Sequence, residues 1–176
     1  VMEAFFAATE THDATSQLSC RLRSGDGEWL NIELQYRNML DDDAIGGMLV
    51  YLRDVTERKQ RARRFEGIFN QTFQFTGLLD PDGTLIEVND AALAFGGLER
   101  DAIVGKQFPE IGWWTHSEAA SDTIEKAINR ASDGEFVRYE TDALGSDGLA
   151  TIDFSVKPVS DEDGGISMLV VEGRNI

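Results

Sequence analysis

The chain has one cysteine, Cys20, which excludes an internal disulfide, and two histidines, His12 and His116, too few to build a zinc site with it. No run approaches the ~18 apolar residues of a membrane span. The opening VMEAFFAATE is too short and too acidic for a secretory signal. Basic residues are scarce: 16 Lys and Arg stand against 32 Asp and Glu, a formal charge of −16, and only Lys59, Lys106, Lys126 and Lys157 are lysines. Such an excess repels phosphate backbones, so no nucleic acid is expected on this segment, and no membrane either. Catalytic signatures are missing too, with no G-x-S-x-G, no P-loop and no G-x-G-x-x-G. The segment is therefore read as non-enzymatic, with no catalytic and no metal-ligating residues, and as cytoplasmic.

What is present is an internal repeat. IEL at 32–34 and IDF at 152–154, DDD at 41–43 and DED at 161–163, and MLV at 48–50 and 168–170 share an offset of 120. SGDG at 24–27 mirrors GSDG at 145–148, and RDV at 53–55 mirrors RNI at 174–176. Within each copy apolar residues alternate: Leu30, Ile32, Leu34 and Tyr36 in the first, Ile152, Phe154 and Val156 in the second. Asp26-Gly27 and Asp147-Gly148 suit hairpin corners, because glycine tolerates positive φ and aspartate bonds its own backbone. Each copy reads as strand, turn, long strand, acidic turn, strand. Cys20 shares a strand face with Leu18 and Leu22, as a small core residue.

Only the second copy has an upstream half in this chain. FTGLLDPDGTLIEVN (75–89) reads as strand, Pro-Asp-Gly turn and strand, and Asn89 is placed to cap a short helix NDAALAF. Thr115 and Glu118 match a capping box ahead of a second helix, where Ala120, Ile124, Ala127, Ile128 and Ala131 keep helical spacing until Gly134. The second copy is thus β-β-α-α-β-β-β. In the first, residues 1–14 are expected to be the tail of a preceding helix, leaving an open sheet edge and an exposed apolar face.

This order resembles the PAS family of sensor domains. The resemblance is carried by LLDPDGTLIEVNDAALAFGGLERDAIVGK (78–106), the strand triplet from 136 to 176, and RDVTERK (53–59), similar to the D-I-T ending of many PAS domains. It implies an α+β fold, a PAS-like five-stranded antiparallel sheet with short helices on one face enclosing a pocket, preceded by a partial second PAS unit. The expected domains are 1–55, the C-terminal part of a first PAS domain; 56–70, a connector helix; and 71–176, a complete PAS domain. Independently, Val55, Ala62 and Phe69 lie seven apart, with Phe65 and Ile68 near the same face and arginines around them, which suits a dimerising connector. The acid-rich, lysine-poor composition is similar to that of proteins from salt-loving archaea, where carboxylates keep the surface hydrated.

In the resembled fold the pocket wall falls on the aromatic stretch around IGWWTH. The candidate ligand-binding residues are Phe95, Phe108, Trp113, Trp114, His116, Ile124, Ile128, Tyr139 and Phe154: large rings for apolar area, with an N–H or O–H to orient a guest. The opposing reading is that these rings fill the core. A small, planar ligand is the favoured guest. Flavin is disfavoured because the N-C-R-F-L-type motif of blue-light relatives is absent, and haem rests on His116 alone. The expected function is a PAS sensory module that relays ligand state through connector helices to a histidine kinase or transcription regulator. The alternatives are a ligand-free dimerisation module and a haem or flavin redox sensor. The expected partners are a second copy of the chain and adjacent signalling domains of the same protein.

Overall fold

The computed structural model describes residues 15–176; the helix tail expected over residues 1–14 lies outside them. The chain divides into two compact units that meet between Glu66 and Gly67.

The first unit is a meander of β1 (Thr15–Arg23), β2 (Trp29–Met39) and β3 (Gly47–Asp54), in the order β1-β2-β3. Ile32 sits opposite Cys20 on one side and Asp54 on the other. Ile32 and Tyr36 are buried, whereas Cys20 is only half-buried, less enclosed than a core residue. No turn separates β3 from helix α1 (Thr56–Asn70), and the reason is local. Val55 N–H donates to Asn31 O (2.9 Å), Asn31 N–H to Thr56 Oγ1 (2.7 Å), and Thr56 N–H to the Asp54 carboxylate (2.8 Å). Asp54 thus supplies an acceptor to the exposed donors of the helix start while its own residue still belongs to the strand. These bonds to Thr56, side chain first and backbone second, hold the Asp54 carboxyl below the usual range.

The second unit is a five-stranded antiparallel sheet in the order β5-β4-β8-β7-β6, built from β4 (Phe75–Leu79), β5 (Leu85–Val88), β6 (Val137–Gly145), β7 (Gly148–Ser160) and β8 (Ile166–Asn175). Between β5 and β6 run α2 (Asp90–Gly96), α3 (Arg100–Ile103), a 3₁₀ turn at Phe108–Glu110, and α4 (Glu118–Ser132). The sequence reading gave two helices here; the short α3 and the 3₁₀ turn are additional. The apolar side of α4, with Ile124, Ala127, Ile128 and Ala131 buried, lies in the core shared with the sheet. Pro158 falls where β7 has outrun β6, whose pairing ends at Val137 opposite Val156, so its missing N–H breaks no ladder there.

The repeat is real in three dimensions with one adjustment. Ile152 sits opposite Thr141 and Asn175, so β2 and β7 correspond at an offset of 120, but β3 and β8 at 121. A bulge at Val159–Ser160 accompanies the extra residue. The two MLV triplets are consequently out of step by one: Met48 occupies the place of Leu169, not of Met168.

The helix cap also differs from expectation. The N-cap of α4 is Ser117, whose Oγ accepts from Ala120 N–H (3.1 Å), while Thr115 Oγ1 reaches back to Gly112 O at 3.5 Å. Thr115 is held in the turn that follows the tryptophans, two residues too early to cap. Asn89 does cap α2, accepting from Ala92 N–H.

Candidate functional site

Rows of residues facing one another across the strands build the floor of the site. One row runs Tyr139, Phe154, Gly173, Phe75 across β6, β7, β8 and β4; the next runs Val137, Val156, Val171, Gly77, Val88 and continues onto β5. A glycine interrupts each row, and neighbours lean into the space: a methyl added at Gly77 would lie 2.9 Å from Val171 Cγ2, and one at Gly173 2.9 Å from Ile152 Cγ2.

The wall opposite is fixed by backbone hydrogen bonds. Phe108 N–H donates to Gly83 O (3.0 Å), Leu144 N–H to Trp113 O (2.8 Å) and Ser146 N–H to Phe95 O (2.7 Å). These pin three aromatic residues of the helical segment to two hairpins of the sheet. Their rings then meet the floor: Trp114 stands edge-on to Phe154 at 5.4 Å, Phe108 lies nearly parallel to Phe154 at 6.3 Å, and Phe75 stacks on Phe95 at 4.6 Å.

A cavity of about 40 Å³ remains between floor and wall, bounded by Phe75, Gly77, Ala92, Phe95, Phe108, Trp113, Trp114, Ala143, Ile152, Phe154 and Gly173 among others. Its surface is almost wholly apolar. The indole N–H groups of Trp113 and Trp114 are buried and meet no acceptor among the described residues. A buried donor without a partner costs about 1–3 kcal/mol; that of Trp113 lies against Gly96 of α2, where an added methyl would come within 2.2 Å of it.

Of the nine residues singled out from sequence, Phe95, Phe108, Trp113, Trp114 and Phe154 line this cavity. Ile124 and Ile128 are buried core residues that do not line it. His116 is half-buried, its Nδ1 3.3 Å from Trp113 O. Tyr139 packs edge-on to Phe154 at 5.7 Å but lines a surface groove of α4 and β6 with Lys126, Arg130 and Arg138. Burial pushes its phenol up to about 12. Sequence reasoning missed Phe75, Gly77, Ala143, Ile152 and Gly173. The strand alternation could have nominated Ile152, since it shares a face with Phe154; the glycines carry no such signal.

Asn89, assigned from sequence only to a cap, does much more. It is fully buried: its Oδ1 accepts from Thr76 N–H (3.0 Å) and Ala92 N–H (3.1 Å). Its Nδ2 donates to Phe69 O (3.2 Å), Thr72 Oγ1 (3.0 Å) and Gln74 O (2.8 Å). One side chain ties the last turn of α1 to cavity-lining segments of β4 and α2.

No group of three or more His, Cys, Asp or Glu placed to hold a metal occurs among the described residues. No helix among them is long and apolar enough to cross a membrane.

A five-stranded antiparallel sheet that closes over an aromatic cavity with short helices defines a class of small α+β domains. Comparison with known proteins gives the family: residues 69–176 match the model of the PAS fold, and the chain belongs to the PAS family. It is 39% identical over 129 residues to hybrid signal transduction histidine kinase D of Dictyostelium discoideum, a match over 72% of this chain and 8% of that protein. It is 40% identical over 112 residues to the sensor histidine kinase TmoS of Ectopseudomonas mendocina, over 62% of this chain and 12% of that one. Among solved structures, the PAS domain of an HTR-like protein from Haloarcula marismortui superposes with a TM-score of 0.55 at 20% identity, over 68% of this chain and 95% of that domain. The chain thus spans about a tenth of the length of either kinase.

Proposed function

We propose that the second unit is the sensory module of a multidomain signalling protein and that it responds to a compact molecule with an apolar body and a hydrogen-bond acceptor. The single observation that carries this reading is an apolar cavity bordered by two tryptophans whose buried indole N–H groups have no partner among the described residues. An acceptor atom that reaches either indole gains a hydrogen bond from a donor whose desolvation has already occurred, so little of the binding energy goes into preparing the site. The size of the cavity constrains the guest. A benzene ring takes a cavity of roughly 150 Å³, so at about 40 Å³ the present shape admits only a few heavy atoms. A planar ring enters only with a shift of an indole or of α2.

That requirement supplies a mechanism. A ligand shifts an equilibrium only by binding two arrangements unequally, and one that displaces the wall does so by construction. The displacement has two routes out: β8, whose Val171 and Gly173 line the cavity, and Asn89, which joins that wall to the end of α1. The output is a histidine kinase or a transcription regulator in the same protein, the former supported by the two kinase relatives. The domain boundaries at 55 and 70, the dimer formed through α1, and a cytoplasmic location belong to this proposal. So does a salt-adapted origin.

A second reading, a ligand-free dimerisation module, draws on the smallness of the cavity and on the exposure of Ile68, at 72%, on α1. Native mass spectrometry of the purified chain, with denaturing extraction and an absorption spectrum, separates the two. A small mass released on denaturation of the native chain, and lost or weakened in a Trp114→Phe variant, is the expected result. A bare protein, unresponsive to a panel of small acceptor-bearing molecules, overturns ligand sensing and leaves the interaction module.

A further inference from the structure

The face of the sheet that floors the cavity runs on to the surface. Row by row it passes from Phe154 and Gly173 to Thr141, Ile152 and Asn175, then to Ala143 opposite Ala150, and ends at Gly145 opposite Gly148. The floor thus falls from bulky to small residues toward the β6–β7 hairpin. There a second void opens, a groove of about 230 Å³ lined by Ala94, Phe95, Gly145, Ser146, Ala150 and Asn175 among others. Phe95, alone among the described residues, borders both the groove and the cavity.

Its ring stands as a partition between them. It stacks on Phe75 at 4.6 Å, and its edge rests on Gly145, where an added methyl would lie 2.8 Å from Cε2. Gly145 has no positive φ to require glycine, so what the position needs is room for that ring. The backbone beneath is held from two sides: Phe95 O accepts from Ser146 N–H (2.7 Å), and Gly97 N–H closes the end of α2 on Ala94 O (3.4 Å). The side chain has no polar tie, and it is half-buried where Phe108, Trp113, Trp114 and Phe154 are buried. It can change rotamer without breaking a hydrogen bond.

We propose that Phe95 is the gate of the cavity and that the groove between α2 and the β6–β7 hairpin is its entry. The ring turns outward, joins the two voids, and leaves its place against Phe75 to the flat body of a guest. The shift of α2 that a planar ring requires then extends no further than this side chain, because the groove alone exceeds the roughly 150 Å³ that benzene takes. The use of the gate in sensing rests on the ligand reading above; the route itself does not.

Tryptophan quenching tests the route without any ligand. In a Trp29→Phe background the emission comes from Trp113 and Trp114 alone, both at the cavity. Phe95→Ala should raise the acrylamide quenching constant about threefold or more, and adding Ala150→Leu, which fills the groove and spares the cavity lining, should reverse most of that rise. Ala150→Leu alone should slow quenching by dissolved oxygen, which enters the closed protein through brief openings, by about twofold. That arm decides the matter if Phe95→Ala does not fold. No rise in a folded Phe95→Ala overturns the gate. A rise that Ala150→Leu leaves intact, or oxygen quenching that Ala150→Leu does not slow, overturns the route by placing access elsewhere. None of these readouts needs a bound ligand, so a bare protein in native mass spectrometry defeats the sensing reading and leaves this one standing.

Discussion

Asn89 concentrates more consequence than any other side chain of the second unit, because its five hydrogen bonds reach the end of α1, β4 and α2 and none is exposed to water. Asn89→Ala strands two N–H donors and the acceptors facing Nδ2, and should cost about 3 kcal/mol or more in urea denaturation. Asn89→Asp keeps Oδ1 for Thr76 and Ala92 but turns a second oxygen toward Phe69 O and Gln74 O. At neutral pH it should be the worse of the two. Burial raises the folded-state pKa of such an acid above its unfolded value of about 4, so the folded form binds the extra proton and stability returns as pH falls toward 4. A pH series on both variants checks this, with a flat difference between them counting against it. The cap role of Asn89 was legible because N-D-A-A opens a helical run; the bonds to Phe69 and Gln74 were not, since they depend on how the chain between α1 and β4 folds back. Likewise the bulky cavity rings announced themselves in the sequence, but whether Tyr139 faces the cavity or a groove depends on the end of the row it occupies.

At the scale of elements the sharpest test is the start of α4. Ser117→Ala removes the bond to Ala120 N–H and should cost about 1 kcal/mol, whereas Thr115→Ala should stay within about 0.5 kcal/mol. The T-x-x-E spelling suggested the reverse, and the spelling fails because Leu144 N–H holds Trp113 O and the turn that follows consumes Thr115 before the helix begins. Strands were easier to read than caps, since alternation survives a bulge on either side of it; the one-residue slip of β3 against β8 shows what alternation leaves open. The β3–α1 junction carries a second test. Its Asp54 carboxylate is held below the ordinary range by Thr56, so its contribution is complete above pH ~4 and is lost as pH falls through the lowered value. The protection of the amides at residues 56–59, taken relative to intrinsic exchange at each pH, should fall on acidification in the native chain. In Asp54→Asn, which keeps the acceptor and loses the titration, it should not.

For the whole molecule the governing quantity is the charge of −16. Exposed ion pairs such as Arg58–Glu33, Arg61–Glu57 and Arg138–Asp153 lie on the described surface, each contributing little and each weakened by salt. Against them stands the mutual repulsion of acids that outnumber the bases two to one, which salt relieves. The Debye length falls from about 10 Å at 0.1 M to about 3 Å at 1 M, so screening acts mainly in that range. If repulsion dominates, Tm rises steeply with KCl up to about 1 M and then levels. Among the described residues the ion pairs engage only a minority of the carboxylates, so the balance favours the rise. A Tm that falls over the same interval would mean the paired arginines outweigh the excess and would remove the salt-adapted reading. A rise that stays linear to 3 M would point instead to exclusion of salt from apolar surface, of which the exposed β3 face of the first unit is one part.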